Sequence, residues 1–195
     1  MWEYLNTAKY DARLLPIAGY LASQIQGKTL LDLNCGYARL ADYLPQSADY
    51  FYIGNDIDEN AHRDFCKRYT ASKKHFFWVK PDEWVSKADW PNIDILVCTG
   101  YATGFSEFES STLDDSVKKL INRYGIDIII LEGATMPLIN SRMLSLCDWI
   151  ISKVYSEEFN FKIDVMEKPD VWQLRNVVIL KRNRGTNHLP YREGR

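Results

Sequence analysis

No two of the four cysteines in this chain form a C-x-x-C pair. Cys35, Cys66, Cys98 and Cys147 stand far apart, so neither a zinc site nor a dithiol redox motif is expected. No other cluster of His, Cys, Asp and Glu has metal-ligand spacing, and no metal is expected. Isolated cysteines flanked by apolar residues read as reduced core residues, and a reducing cytoplasm is the simplest compartment for them. Long apolar runs are missing as well, so no segment is expected to span a bilayer. The opening Met1-Trp2-Glu3-Tyr4-Leu5 lacks the basic-then-apolar order of a signal peptide. There is no strong charge of either sign. A net charge of -2 argues against a dedicated nucleic-acid surface. The pattern G-x-x-x-x-G-K-[ST] is absent, which excludes a phosphate loop.

What is present is an ordinary globular balance. The 195 residues, 46% apolar and 26% charged, suit a single domain with a real core. Residues 3 to 26 read as helical, with Pro16 marking a kink or break and Gly27 the stop. Strand-like runs follow at 30 to 33, 50 to 53, 76 to 79, 93 to 98 and 126 to 131. Helix-like stretches at 39 to 44, 59 to 69 and 113 to 123 alternate with them. Continuous apolar strands such as Ile128-Ile129-Ile130-Leu131 suit a parallel sheet covered on both faces.

The last third differs. A helix over 138 to 154 precedes two strands, 159 to 166 and 171 to 180, whose short link fits only an antiparallel hairpin. The expected fold is therefore α/β: a three-layer αβα sandwich around a seven-stranded, mostly parallel sheet with an antiparallel hairpin at its C-terminal edge. Residues 1–27 read as a helical cover, 28–181 as the core and 182–195 as a polar tail with several basic residues, most simply a solvated one. No internal repeat or interdomain linker interrupts this plan.

Ligands of open parallel sheets sit outside the carboxyl ends of the strands. Asp32, Asn34 and Gly36 fall there, after the first strand. Gly36 permits a positive φ and close approach of backbone to a ligand. Asn34 is the side chain that best tolerates the left-handed region. Asp32 is an anion where a phosphate would want none, so it suits an ammonium or sulfonium. Asp56, 20 residues after Gly36, ends the second strand, where an acid can accept both hydrogen bonds of a ribose diol. Asp58 is a good helix N-cap, and capping is the plain alternative for both acids.

This arrangement resembles the class I S-adenosylmethionine-dependent methyltransferase family. The family's D-x-G-x-G-x-G stands here as Asp32-Leu-Asn34-Cys-Gly36-Tyr-Ala38, with only the middle glycine kept. Its second acid matches Ile53-Gly54-Asn55-Asp56, and its adenine-proximal acid matches Asp82. The start of the fourth strand matches Asn92-Ile93-Asp94-Ile95-Leu96-Val97. The resemblance implies a Rossmann-like fold, S-adenosyl-L-methionine as cofactor and methyl transfer to a small-molecule substrate. It implies cofactor-binding positions at Asp32, Asn34, Cys35, Gly36, Asp56, Ile57, Asp82, Glu83 and Thr99.

For the acceptor side, the family's [DNS]-P-P-[YF] is absent from Thr99-Gly100-Tyr101-Ala102, which counts against chemistry on planar nucleobase nitrogens. Tyr101 and Glu132 are the catalytic candidates, Glu132 because it ends the fifth strand and could hold a substrate amine or act as a base. The pair Tyr10-Asp11 and the aromatics Trp2, Tyr4 and Tyr20 belong to the N-terminal cover, where packing is the simpler role. Residues 103 to 112 read as a loop able to form a lid. Two other classes stay open. A dinucleotide-binding oxidoreductase would need G-x-G-x-x-G, matched only poorly by Gly36-x-Ala38-x-x-Ala41. A non-catalytic relative acting through partners would fit the degraded first motif.

Overall fold

The strand-like runs meet in one sheet whose strand order reverses partway across it. The computed structural model describes residues 11–69, 74–78, 91–101, 107–168 and 171–183. In chain order these form α1 (Leu14–Ala22), β1 (Thr29–Leu33), α2 (Leu40–Tyr43), β2 (Phe51–Asp56), α3 (Glu59–Arg68) and β3 (Lys74–Trp78). Then come β4 (Ile95–Tyr101), α4 (Glu107–Arg123), β5 (Ile128–Ala134), α5 (Pro137–Val154), β6 (Tyr155–Lys168) and β7 (Val171–Arg182).

Among the described residues the sheet has seven strands in the order β3-β2-β1-β4-β5-β7-β6. The first five pair in parallel. β7 enters antiparallel between β5 and β6, which makes the expected hairpin and leaves β6 at the edge. The reversal between β1 and β4 is the place where a crevice opens at the strand ends.

Continuous apolar strands are explained by cover on both faces. All seven residues of β5 are buried. Leu31, Leu33, Leu96, Cys98, Ile129 and Leu131 pack against α4 and α5 through Val117, Leu120, Met143 and Ile150. Their alternates Leu30, Tyr52, Ile95, Val97, Ile128 and Ile130 pack against α1, α2 and α3 through Ile17, Leu21, Leu40 and Phe65. Each fully buried Leu or Ile contributes roughly 1.5–3 kcal/mol. Polar residues on the second face gather at its carboxyl end, beyond this apolar layer.

Several boundaries differ from the sequence reading. The expected break falls just ahead of Pro16, at residues 12–13 between helical Asp11 and Leu14; Pro16 is the third residue of α1, where its missing N–H falls among the first-turn donors that have no intrahelical partner. α1 stops at Ala22 rather than near residue 26. α4 begins at Glu107, so the second half of the segment read as a lid loop is helix. Glu107-Phe-Glu-Ser-Ser-Thr carries almost no apolar period, and its helicity is invisible to pattern reading. β5 runs on to Ala134 and takes Glu132 into the sheet instead of leaving it at the strand end. Lys181 and Arg182, assigned in part to the core and in part to the tail, both lie in β7.

Of the four cysteines, all free, Cys98 and Cys147 are core residues, while Cys35 is half-buried and Cys66 exposed. Among the described residues no helix is long and apolar enough to cross a membrane.

Candidate functional site at the strand ends

The turn after β1 holds three alternate residues in the left-handed region: Asn34 at φ 56°, Gly36 at 53° and Ala38 at 51°. These are the three positions at which the motif discussed above has glycine. Asparagine accepts this conformation readily, whereas alanine pays about 1–2 kcal/mol for it. Ala38 is fully buried beneath α2, and packing holds it there. The turn is fastened by Cys35 N–H donating to the Asn55 carbonyl at 3.0 Å and Ala38 N–H donating to the Cys35 carbonyl at 2.9 Å. Among the described residues, and apart from its two chain neighbours, no heavy atom lies within 4 Å of the point where a side chain on Gly36 would begin, so this backbone faces open space.

Asp32 is 1% exposed. Its Oδ2 accepts from the Tyr52 hydroxyl at 2.6 Å, while its Oδ1 is buried with no partner among the described residues. Burial pushes its pKa up to about 7, against the pull of the Tyr52 hydroxyl and the nearby Arg13 charge, with Asp56 adding repulsion. Asn34 Nδ2 is likewise buried without a partner. Two polar atoms of opposite hydrogen-bonding sense, one acceptor and one donor, are thus left over at the same turn.

Asp56 reaches back to this turn. Its Oδ2 accepts from Gly36 N–H at 2.8 Å and its Oδ1 from Asp58 N–H at 2.9 Å. Burial raises its pKa, and the backbone N–H groups around it work the other way. The Ile57 backbone N–H bears on the same carboxylate, which keeps part of its acceptor capacity free. The capping role belongs to Asp58, whose Oδ1 accepts from Asn60 N–H at 2.8 Å and Ala61 N–H at 3.4 Å at the start of α3. Ile57, between the two acids, is 52% exposed, an apolar side chain held out beside the turn.

Glu132 forms the opposite wall. It is 0% exposed and engaged on both oxygens. Oε2 accepts from Arg13 and, at 2.6 Å, from Gly100 N–H, while Oε1 accepts from Arg175. Burial alone would raise its pKa, but the two guanidiniums more than reverse that and hold it near 2. Gly100 sits at φ 74°, where the β4–β5 register slips between Thr99 and Tyr101. Thr99 is 5% exposed on the same side of the sheet as Asp32. The Tyr101 backbone closes β4, and its side chain lies outside the described residues, as do Asp82, Glu83, Trp2, Tyr4 and Tyr10.

The fold thus gathers Asp32, Asn34, Cys35, Gly36, Asp56 and Ile57 at the ends of β1 and β2, and pairs Thr99 with Glu132 in the C-terminal halves of β4 and β5. Sequence reasoning missed Tyr52, Arg13 and Arg175. Tyr52 hides in an apolar strand run. Arg175 leaves a faint signal, a cation between Leu174 and the run 177 to 180 of a buried strand, which demands a partner. Tyr20, from the N-terminal cover, packs toward the sheet edge: its hydroxyl donates to Glu158 at 2.6 Å and its ring meets Phe159 edge-on.

No protein-family model matches the chain, and no curated protein matches its sequence. Solved structures do match its fold. N-methyltransferase NodS from Bradyrhizobium japonicum WM9, in complex with S-adenosyl-L-homocysteine, superposes with a TM-score of 0.67 at 9% identity, over 93% of this chain and 91% of that one. Magnesium protoporphyrin IX methyltransferase from Synechocystis PCC 6803 does so with 0.66 at 12% identity, over 90% and 84%. A provisionally assigned RNA methyltransferase from Pyrococcus horikoshii reaches 0.64 at 14% identity, over 90% and 82%. The fold is that of the class I S-adenosylmethionine-dependent methyltransferases, with its order 3-2-1-4-5-7-6 and antiparallel C-terminal hairpin.

Proposed function

We infer that this chain binds S-adenosyl-L-methionine and transfers its methyl group to a small-molecule acceptor. The observation that carries this reading is the unpartnered, buried Oδ1 of Asp32 beside the open backbone of Gly36. A buried carboxylate oxygen without a donor calls for a cationic hydrogen-bond donor, which an amino-acid ammonium supplies. Asp32 would lie close to the pyrophosphate of a nicotinamide dinucleotide and repel it, which disfavours the oxidoreductase reading.

The residues present fit the cofactor's chemistry. Asp32 would take the ammonium, the Asn34 to Gly36 backbone would pass close to the amino-acid end, and Asp56 would accept from the ribose diol with its remaining lone pairs. Ile57 offers an apolar surface for a base. Cys35, Asp82, Glu83 and Thr99 complete the proposed contact set. The sulfonium, when bound, supplies a methyl group already activated for transfer. What the chain must add is alignment of the acceptor and exclusion of water.

Glu132 is not suited to take a proton at neutral pH: it titrates near 2 and its oxygens are engaged. Tyr101 remains the candidate at the acceptor side. A small acceptor is supported by the net charge of -2, and a cytoplasmic setting by the four free cysteines.

Calorimetric titration with S-adenosylmethionine, S-adenosylhomocysteine and NAD tests the reading. Binding of the first two and not the third is expected; no binding of either would overturn it. Asp56→Ala should weaken binding by roughly 1–3 kcal/mol, the cost of leaving ribose hydroxyls unpaired. The acceptor class is then read by methyl transfer to pooled metabolites against total RNA.

A further inference from the structure

Two charged residues just ahead of α1 are fastened to different strand ends. Asp11 is 1% exposed and Arg13 is 9% exposed. Asp11 Oδ2 accepts from Arg39 Nε at 3.0 Å and from the Tyr43 hydroxyl at 2.9 Å. Arg39 directly follows the left-handed turn that ends β1. Arg13 donates to Glu132 of β5, through the oxygen that also receives the Gly100 amide of β4. In the sheet, β4 lies between β1 and β5. The strands of this order are spaced about 4.8 Å apart, so two side chains separated by one residue bridge roughly 10 Å of rim.

We propose that Asp11 and Arg13 act as a two-point clasp, a pair of positioning residues that seats the start of α1 across the ends of β1, β4 and β5 and makes it one wall of the ligand site. For the ligand, this rests on the reading given under Proposed function. Exposed ion pairs seldom hold a segment in place, because water screens them and side-chain entropy opposes them. Here both anions are buried, and loss of either cation leaves a carboxylate that water does not reach. The Glu132 end reaches further, since the same carboxylate fixes Gly100, where the β4–β5 register shifts. Displacing Arg13 therefore acts on the β4 turn beside Thr99 as well as on α1.

Arg13 also acts on the turn electrostatically. The groups that bear on Asp32 are the Tyr52 hydroxyl, Arg13, Asp56, and the thiols Cys35 and Cys98. Of the charged groups among these, Arg13 is the cation, so removing it makes Asp32 harder to ionise.

Hydrogen exchange on the full chain, with Arg13→Met, Arg13→Lys and Asp11→Asn, tests the clasp. Arg13→Met and Asp11→Asn should each speed exchange of the α1 amides at least tenfold while β1 and β5 stay protected; Arg13→Lys should restore most of the protection. Unchanged α1 exchange, or loss of protection spread evenly over β1 and β5, would overturn the proposal.

Titration with S-adenosylhomocysteine from pH 5.5 to 8.5 supplies a readout that a merely structural role would not move. The midpoint of the pH dependence should rise by about half a unit or more in Arg13→Met. Binding with an unmoved midpoint would remove Arg13 from the site. If the wild-type chain binds neither S-adenosylmethionine nor S-adenosylhomocysteine, the proposed function fails, and the clasp is decided by exchange alone.

Discussion

The Tyr52 hydroxyl stands 2.6 Å from Oδ2 of Asp32, with both residues buried on one face of neighbouring strands. A hydrogen bond to the charged form of a carboxylate favours that form. Tyr52→Phe should therefore push the Asp32 pKa higher than its present value of about 7. The cost to stability should be about 1–3 kcal/mol at pH 8, where Asp32 would otherwise ionise, and smaller at pH 5. Urea unfolding at the two pH values checks this, and equal costs would refute it.

Ala38→Gly should stabilise the protein. The left-handed φ of 51° at Ala38 costs about 1–2 kcal/mol for an alanine, and glycine removes that cost. Glycine returns about 0.4–1 kcal/mol through greater freedom of the unfolded chain. A net gain of about 0.5–1 kcal/mol is expected by denaturant unfolding. Gly36→Ala, at the same kind of φ, should lose stability instead, and a gain there would contradict the strained turn.

The two buried acids at the strand ends should give stability opposite pH slopes. Asp32 titrates at about 7 when folded against an ordinary 3.8. Between those values the folded chain holds a proton that the unfolded chain has released, so the contribution of Asp32 falls as pH rises from 4 to 7. Glu132 is held at about 2 against an ordinary 4.5. Its contribution is complete above 4.5 and is lost as pH falls through 2. Each effect is on the order of a few kcal/mol before relaxation of the surroundings. Asp32→Asn should flatten the pH 4 to 7 limb of unfolding free energy. An identical slope in the variant would assign that limb to another group.

Asp56 and Asp58 should separate cleanly. Asp58→Ala removes the α3 cap and should cost about 1 kcal/mol of stability with ligand affinity unchanged. Asp56→Ala should lower affinity for S-adenosylhomocysteine and also loosen the Gly36 turn that its carboxylate holds. Loss of affinity in Asp58→Ala equal to that in Asp56→Ala would mean that the acids act only through the helix start. Differential scanning fluorimetry with calorimetry resolves the two.

Much of this architecture was readable residue by residue. The runs around Leu31, Ile53, Leu96 and Ile129 are continuous and apolar because both faces of their strands are covered, so local composition already marks a parallel sheet. The short link after Met166 announced the hairpin. Helix limits were less legible: α4 starts in a stretch with almost no apolar period, and Pro16 is harmless because it falls in a first turn. At the site, Asp32, Gly36 and Asp56 could be picked out because their spacing follows the chain. Glu132 stands out in sequence as a carboxylate able to hold a substrate amine or act as a base, and nothing nearby in sequence discloses its two arginine partners.

The division has a physical origin. Order of elements, strand-end acids and the left-handed Asn34 and Gly36 follow from period, spacing and intrinsic backbone preference, all of which act over a few residues. Sequence by itself determined these. Which charges meet was decided by the tertiary structure: Arg13 and Glu132 are 119 positions apart, and Arg175 and Glu132 are 43 apart. Their pairing depends on β5 lying between β4 and β7 and on Arg13, just ahead of α1, reaching Glu132. The same burial that makes the Glu132 cluster a scaffold leaves Oδ1 of Asp32 without a donor. The ionisation of both acids is set by which neighbours the sheet order delivers, and no local pattern carries that order.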